Sequence, residues 1–218
     1  MILGTGIIGS PKKAEIVWHY AGHNNNDDPP WNFNNVPLGP DHPTRKILVA
    51  AVPAGTFGTG AIPYVITVGG VAAAYLGGVW YIVDYPSGTN VQVRIAHPTS
   101  TDVHGSVEVW SVYHLKSATP VGGPVSVLPA NNGAKSLTIN AVMGGVVAAY
   151  CNGGGLGAGL MQWTFSGGAS TDHAGAVAEN NSIGAGSGQV LANNAALSVT
   201  APRTTGNASW SMQGISFR

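Results

Sequence analysis

Seven histidines, one cysteine and nine acidic residues carry most of the reactive chemistry of this 218-residue chain. The histidines are His19, His23, His42, His97, His104, His114 and His173. Asp102 lies between His97 and His104, and Asp172 precedes His173. A carboxylate beside an imidazole can orient it as a general base. Such a base needs a nucleophile, and no serine stands in a G-x-S-x-G elbow: Gly184-Ala185-Gly186-Ser187-Gly188 misses by one position. The histidines show neither HExxH nor any other close metal-ligand spacing. Cys151 follows the apolar run Val146-Val147-Ala148-Ala149-Tyr150 and reads as a small buried hydrophobe. A nucleophilic thiol would want a base and an electropositive surround. The chain is therefore expected to be non-enzymatic, with no cofactor and no catalytic residue.

Two further patterns resemble ligand sites. Gly153-Gly154-Gly155-Leu156-Gly157-Ala158 fits the loose G-x-G-x-x-A form, with Asp172 near the distance at which an acidic residue would hold a ribose. That fingerprint requires a following helix, whereas Gly159 and Trp163-Thr164-Phe165 read as loop and strand. Asn24-Asn25-Asn26-Asp27-Asp28 offers oxygen ligands but lacks the alternate spacing and bidentate Glu of a calcium loop, so an Asn/Asp turn is expected and no metal.

Charge excludes whole classes of partner. Charged residues make up 8% of the chain, nine basic against nine acidic, where about 25% is ordinary. A nucleic-acid binder needs a basic face, which this balance does not supply. Residues 47–83 and 136–171 contain no Asp, Glu, Lys or Arg, but glycines and prolines break them into hairpin lengths, so no membrane span is expected. The positive charges at Lys12 and Lys13 follow the short apolar N-terminal run, which is the wrong order for a secretory leader. A lone cysteine cannot form an intrachain disulfide and fits a reducing cytoplasm.

The elements that must hold these residues are strands. Apolar residues recur at period two, and 32 glycines with 14 prolines supply the turns. Asn90-Val91-Gln92-Val93-Arg94-Ile95 alternates cleanly and should form a hairpin with residues 79–85. Val68-Gly69-Gly70-Val71 signals a two-residue hairpin. Residues 106–115 carry Trp110 and Val112 on their second face, which predicts a central strand packed on both sides. Trp80, Trp110, Trp163 and Trp210 are expected as core anchors. Short strands throughout and no fixed-period repeat give an all-β fold, a jelly-roll-like β-sandwich over 36–218. Residues 1–35 read as an extended N-terminal arm, with Trp31, Phe33, Ile7 and Ile8 as candidate assembly contacts.

A neutral, charge-poor β surface invites association, because charge is what normally keeps soluble chains apart. A symmetric assembly of copies of this chain is therefore expected. The alternative is a carbohydrate-binding or adhesion module, using exposed aromatics beside Asp and Asn on host surface glycans.

Residues 45–120 add a resemblance. Arg45 to Val52, the hairpin Ile66-Thr67-Val68-Gly69-Gly70-Val71-Ala72-Ala73, Val91-Gln92-Val93, Glu108-Val109-Trp110-Ser111-Val112-Tyr113, Thr119-Pro120 and the closing strand from Trp210 to Phe217 resemble a diffuse group of all-β virion proteins of tailed bacteriophages. The resemblance implies a capsid decoration, spike, collar or tail-associated part, located on the virion and assembled in the host cytoplasm. It implies copies of itself and the major capsid, neck or tail proteins as partners.

Overall fold

The computed structural model describes residues 12–24, 29–53, 64–96, 105–127, 134–154, 162–174, 181–192, 194–205 and 210–218. The described residues form an all-β fold of four main sheets packed in layers, with every strand pairing antiparallel. One inner sheet has the order β1 (Glu15–Asn24), β9 (Gly105–Tyr113), β3 (Lys46–Pro53), β7 (Trp80–Asp84), β6 (Ala74–Gly77). Its outer companion has β2 (Trp31–Pro37), β8 (Asn90–Ala96), β4 (Val65–Val68), β5 (Val71–Ala72). The second inner sheet runs β10 (Gly122–Val127), β19 (Trp210–Phe217), β12 (Val146–Gly154), β16 (Asn181–Gln189), β15 (Ser170–His173). Its companion is β11 (Lys135–Ala141), β17 (Asn194–Ala201), β14 (Ser166–Gly167), with a ribbon of β13 (Gln162–Trp163) and β18 (Arg203–Thr205) beside it.

Three apolar cores separate the layers. Ile47, Val49, Val107 and Val109 face Trp31, Phe33, Val93 and Ile95 in the first. Leu48, Ala50, Trp80, Trp110 and Val112 face Val146, Ala148, Tyr150, Ile183 and Phe217 in the second, which is the seam between the two sandwiches. Val147, Ala149, Cys151, Trp210 and Met212 face Leu137, Ile139 and Val199 in the third. Both inner sheets thus bury both faces. This is why β3 and β12 carry nearly continuous apolar runs and β9 is buried at every residue, while β8 and β11 alternate. It also supplies an internal cause for the shortage of charge: strands buried on two sides have no outward positions to charge.

The two halves repeat one design. Both inner sheets have the same strand order, and their registers superpose: Val112 to Gly105 run opposite Lys46 to Pro53, as Phe217 to Trp210 run opposite Val146 to Gly153. Register shifts recur in matching places, at Trp18/Tyr20 and Gly122/Val125, at Phe33/Val36 and Ile139/Ala141, and at Tyr75/Gly77 and Thr171/His173. Ser111 and Ser216 are equivalent, fully buried, and clamp each inner sheet to its outer companion. The Ser111 hydroxyl donates to Leu38 O at 2.5 Å, and the Ser216 hydroxyl to Asn140 O.

Several sequence expectations are corrected. Residues 79–85 and 90–96 are strands but not a hairpin: β7 lies in an inner sheet and β8 in its outer companion, so the turn between them carries the chain across the first core. The arm expected over 1–35 does not exist as such in the described residues. β1 pairs with β9 over its length, β2 pairs with β8, and no domain boundary falls at residue 35. The Val68-Gly69-Gly70-Val71 hairpin is present, with φ of +56° and +82° at the two glycines, which suits the turn the strand twist favours.

Candidate functional site

The most concentrated polar chemistry of the described residues sits inside the seam. β9 runs through the middle of its sheet with every residue buried, and Glu108 is the one acid in it. Its side chain is fully buried and reaches across to the other sandwich. Glu108 Oε1 lies 2.7 Å from His173 Nδ1 on the edge strand β15, while the Trp18 indole N–H donates to Glu108 Oε2 at 2.7 Å. Trp18, on edge strand β1, stacks on the His173 ring with centroids 5.8 Å apart and planes 13° apart. Beside them Asp172 Oδ2 accepts the Trp110 indole N–H at 3.0 Å. The bulge at Thr171/His173 lets consecutive residues on an edge strand both contribute to the seam.

Burial dominates the electrostatics. It pushes the Glu108 carboxyl above the ordinary range, against the opposing pull of the hydrogen bonds and charge from His173 and the bond from Trp18. Burial also raises Asp172, opposed by hydrogen bonds from Ser187 and Trp110. The arrangement can share and hold a proton between a buried acid and an imidazole whose side chain is 19% exposed. The carboxylate fixes Nδ1 and so orients the ring, as a second group does for a working histidine.

The other side of the seam provides an internal comparison. Gln213 on β19 occupies the register of Glu108 on β9. Gln213 Oε1 accepts the Val79 N–H at 3.2 Å, again across the seam. Where His173 stands after the β15 bulge, Gly77 stands after the β6 bulge, with Pro124 packed on it. The same slot is filled by aliphatic and amide groups on one side and by an acid, an imidazole and an indole on the other.

The residues singled out by sequence scatter. Trp31 and Phe33 are in the first core, not on a contact surface. Ile7, Ile8, His97, Asp102, His104 and residues 25–28 and 155–161 lie outside the described residues. The remaining Asn24 closes β1, and Gly153-Gly154 end β12. His173 is paired, but with Glu108 instead of its neighbour Asp172. Gly184 to Gly188 lie within β16. Cys151 is buried, and burial pushes its thiol well above the ordinary range. His42 and His114 both approach the Thr44 hydroxyl, at 2.9 and 3.1 Å, in an exposed turn. Burial, then Arg45, lowers His19. Trp80, Trp110, Trp163 and Trp210 are core anchors as expected. No group of three or more His, Cys, Asp or Glu among the described residues is placed to hold a metal ion, and those residues contain no helix long and apolar enough to cross a membrane.

The Glu108 cluster is not legible in the sequence because His173 and Trp18 stand 65 and 90 positions from Glu108. One signal was available: an acid in a strand expected to be buried on both faces must find a partner. No protein-family model, curated protein or solved structure matches the chain.

Proposed function

We propose that the chain is a non-enzymatic structural component of a tailed-phage particle, a decoration, spike, collar or tail-associated part repeated by symmetry. The observation that carries this reading is the character of the two outermost sheet faces. Asn32, Asn34, Thr67, Gln92 and Val65 point outward from one, with Arg94 the charge among them; Ser136, Thr138, Ser198 and Thr200 point outward from the other. Their side chains bond laterally: Gln92 Nε2 donates to Asn34 Oδ1 and Ser136 Oγ meets Thr200 Oγ1, each at 2.8 Å. Such faces offer shape and hydrogen bonds with little ionic repulsion between copies, which suits repeated packing.

A jelly-roll reading of each sandwich is supported by strand order, β1-β9-β3-β7 over β2-β8-β4-β5, with the inner order repeated in the second half. That fold is used by viral shell proteins and also by lectins. The carbohydrate reading draws no support from Trp31 and Phe33, whose rings are covered by the chain's own sheets.

Electron microscopy of the purified full chain tests the proposal. Closed particles of defined rotational symmetry are expected. Isolated single chains at every concentration, together with binding on a glycan array, would replace it with the adhesion reading.

A further inference from the structure

We propose that the Glu108–His173 contact is a proton-controlled latch on one side of the seam: it holds edge strand β15 against β1 while a proton is shared between carboxylate and imidazole, and lets that edge part when the proton leaves. The latch works within a single chain, whether or not copies assemble.

The case rests on the comparison between the two seam sides. A fully buried carboxylate is expensive, and a neutral amide of nearly the same shape is the cheaper solution. The second sandwich uses that solution at the equivalent register, where Gln213 accepts a backbone N–H. The first has an acid there and spends an imidazole and an indole N–H to satisfy it. The Gly77–Pro124 side fills the equivalent position without an ionisable group and leaves Gln213 half-buried.

The surroundings set the direction of the switch. Asp172 on β15 is a second acid near Glu108 and disfavours its charge. β12 contributes Tyr150, held neutral by burial, while the adjacent Cys151 faces the third core. β1 contributes the Trp18 N–H, and His23, whose Nδ1 meets Ser106 Oγ at 2.7 Å two residues along β9. β16 contributes the hydroxyl of Ser187, bonded to Asp172. With the shared proton present, the site holds either an ion pair or a neutral hydrogen-bonded pair. Once it is gone, a buried carboxylate faces a neutral imidazole and a neighbouring acid, and the cheapest relief is to admit water at the edge. His173 is where water can enter, since its side chain is partly exposed and lies on an edge strand.

Amide hydrogen exchange on the full chain, corrected for the intrinsic pH effect, reads the latch. Between about pH 5.5 and pH 8.5, protection in β15 should fall at least about tenfold more than in β6, the matching edge on the amide side. Glu108→Gln, which installs the residue of the sister position, should abolish that difference while β6 is unchanged. If Glu108→Gln does not fold, His173→Asn carries the same expectation, because its amide nitrogen can sit where Nδ1 sits and does not titrate. Equal loss of protection on both edges in the wild type, or a pH step that survives either substitution, overturns the latch.

Discussion

Glu108 and Gln213 occupy the same position in two copies of one design, and each crosses the seam to the opposite sandwich: Glu108 to the His173 imidazole, Gln213 to the Val79 N–H. One atom of difference, oxygen for nitrogen, separates a titratable contact from a permanent one. The duplicated architecture thus contains its own control for what a buried charge does.

Removing the partner of a buried charge costs more than removing the pair. His173→Ala leaves the Glu108 carboxylate with the Trp18 N–H as its remaining direct partner and should cost about 3 kcal/mol near neutral pH. Glu108 is raised in the folded state, so its contribution is fully present below its unfolded value and lost as pH rises through the folded one. The penalty in His173→Ala should accordingly shrink on acidification. Urea unfolding at several pH values measures this, and a penalty independent of pH would contradict it.

Arg45 ties one end of the first sandwich together. It is buried, and its guanidinium donates to the carbonyls of Tyr85 (2.7 Å), Gly88 (2.7 Å), Gly39 and Pro40 (both 3.0 Å) and Leu38 (3.4 Å). A lysine has neither the reach nor the fork to replace these bonds. Arg45→Lys should lose about 3 kcal/mol or more, at 1.5–3 kcal/mol for each charge-assisted bond left unmade. Thermal unfolding would reveal it, and a near-neutral result would deny the residue this role.

The serine clamps should behave alike and independently. Ser111→Ala removes one of two donors to Leu38 O, the other being Arg45, and Ser216→Ala removes a donor to Asn140 O; each should cost about 1 kcal/mol. They share no partner, so the double variant should equal the sum to within about 0.5 kcal/mol. Strong coupling would mean that the two sandwiches do not carry separate clamps.

Cys151 is fully buried with a raised thiol. It should resist a disulfide reagent in the native chain and react at once in denaturant. Rapid native labelling would show that the third core opens.

Much of the fold was legible because burial writes itself into alternation. β8 alternates since one face is wet, and β9 does not since neither is. What hid the rest is also physical. β2 looked like an arm because its register shift between Phe33 and Val36 breaks the period in a run of asparagines. The glycines of β16 interrupt any apolar alternation, yet Gly184 and Gly186 are small because rings lie on them: an added Cβ would sit 2.7 Å from Trp163 and 2.5 Å from Phe165. The duplication was masked by exchanged bulk. In the first sandwich Trp31 of β2 lies on Gly105 of β9, at 2.6 Å from an added Cβ. In the second the aromatic is on the other strand, Trp210 of β19, and Lys135 of β11 holds its ammonium 5.1 Å from that ring. The Glu108 site was hidden because it joins two halves that the sequence does not show to be copies.

The assembly proposal stands or falls on contacts that need no charge. Light scattering of the full chain across roughly 0.1 to 1 M NaCl, where screening shortens from about 10 to 3 Å, measures its mass directly. A defined multiple of 22.1 kDa that persists across that range is the predicted result. A chain that stays at the single-copy mass, or an oligomer that falls apart in moderate salt, would contradict it.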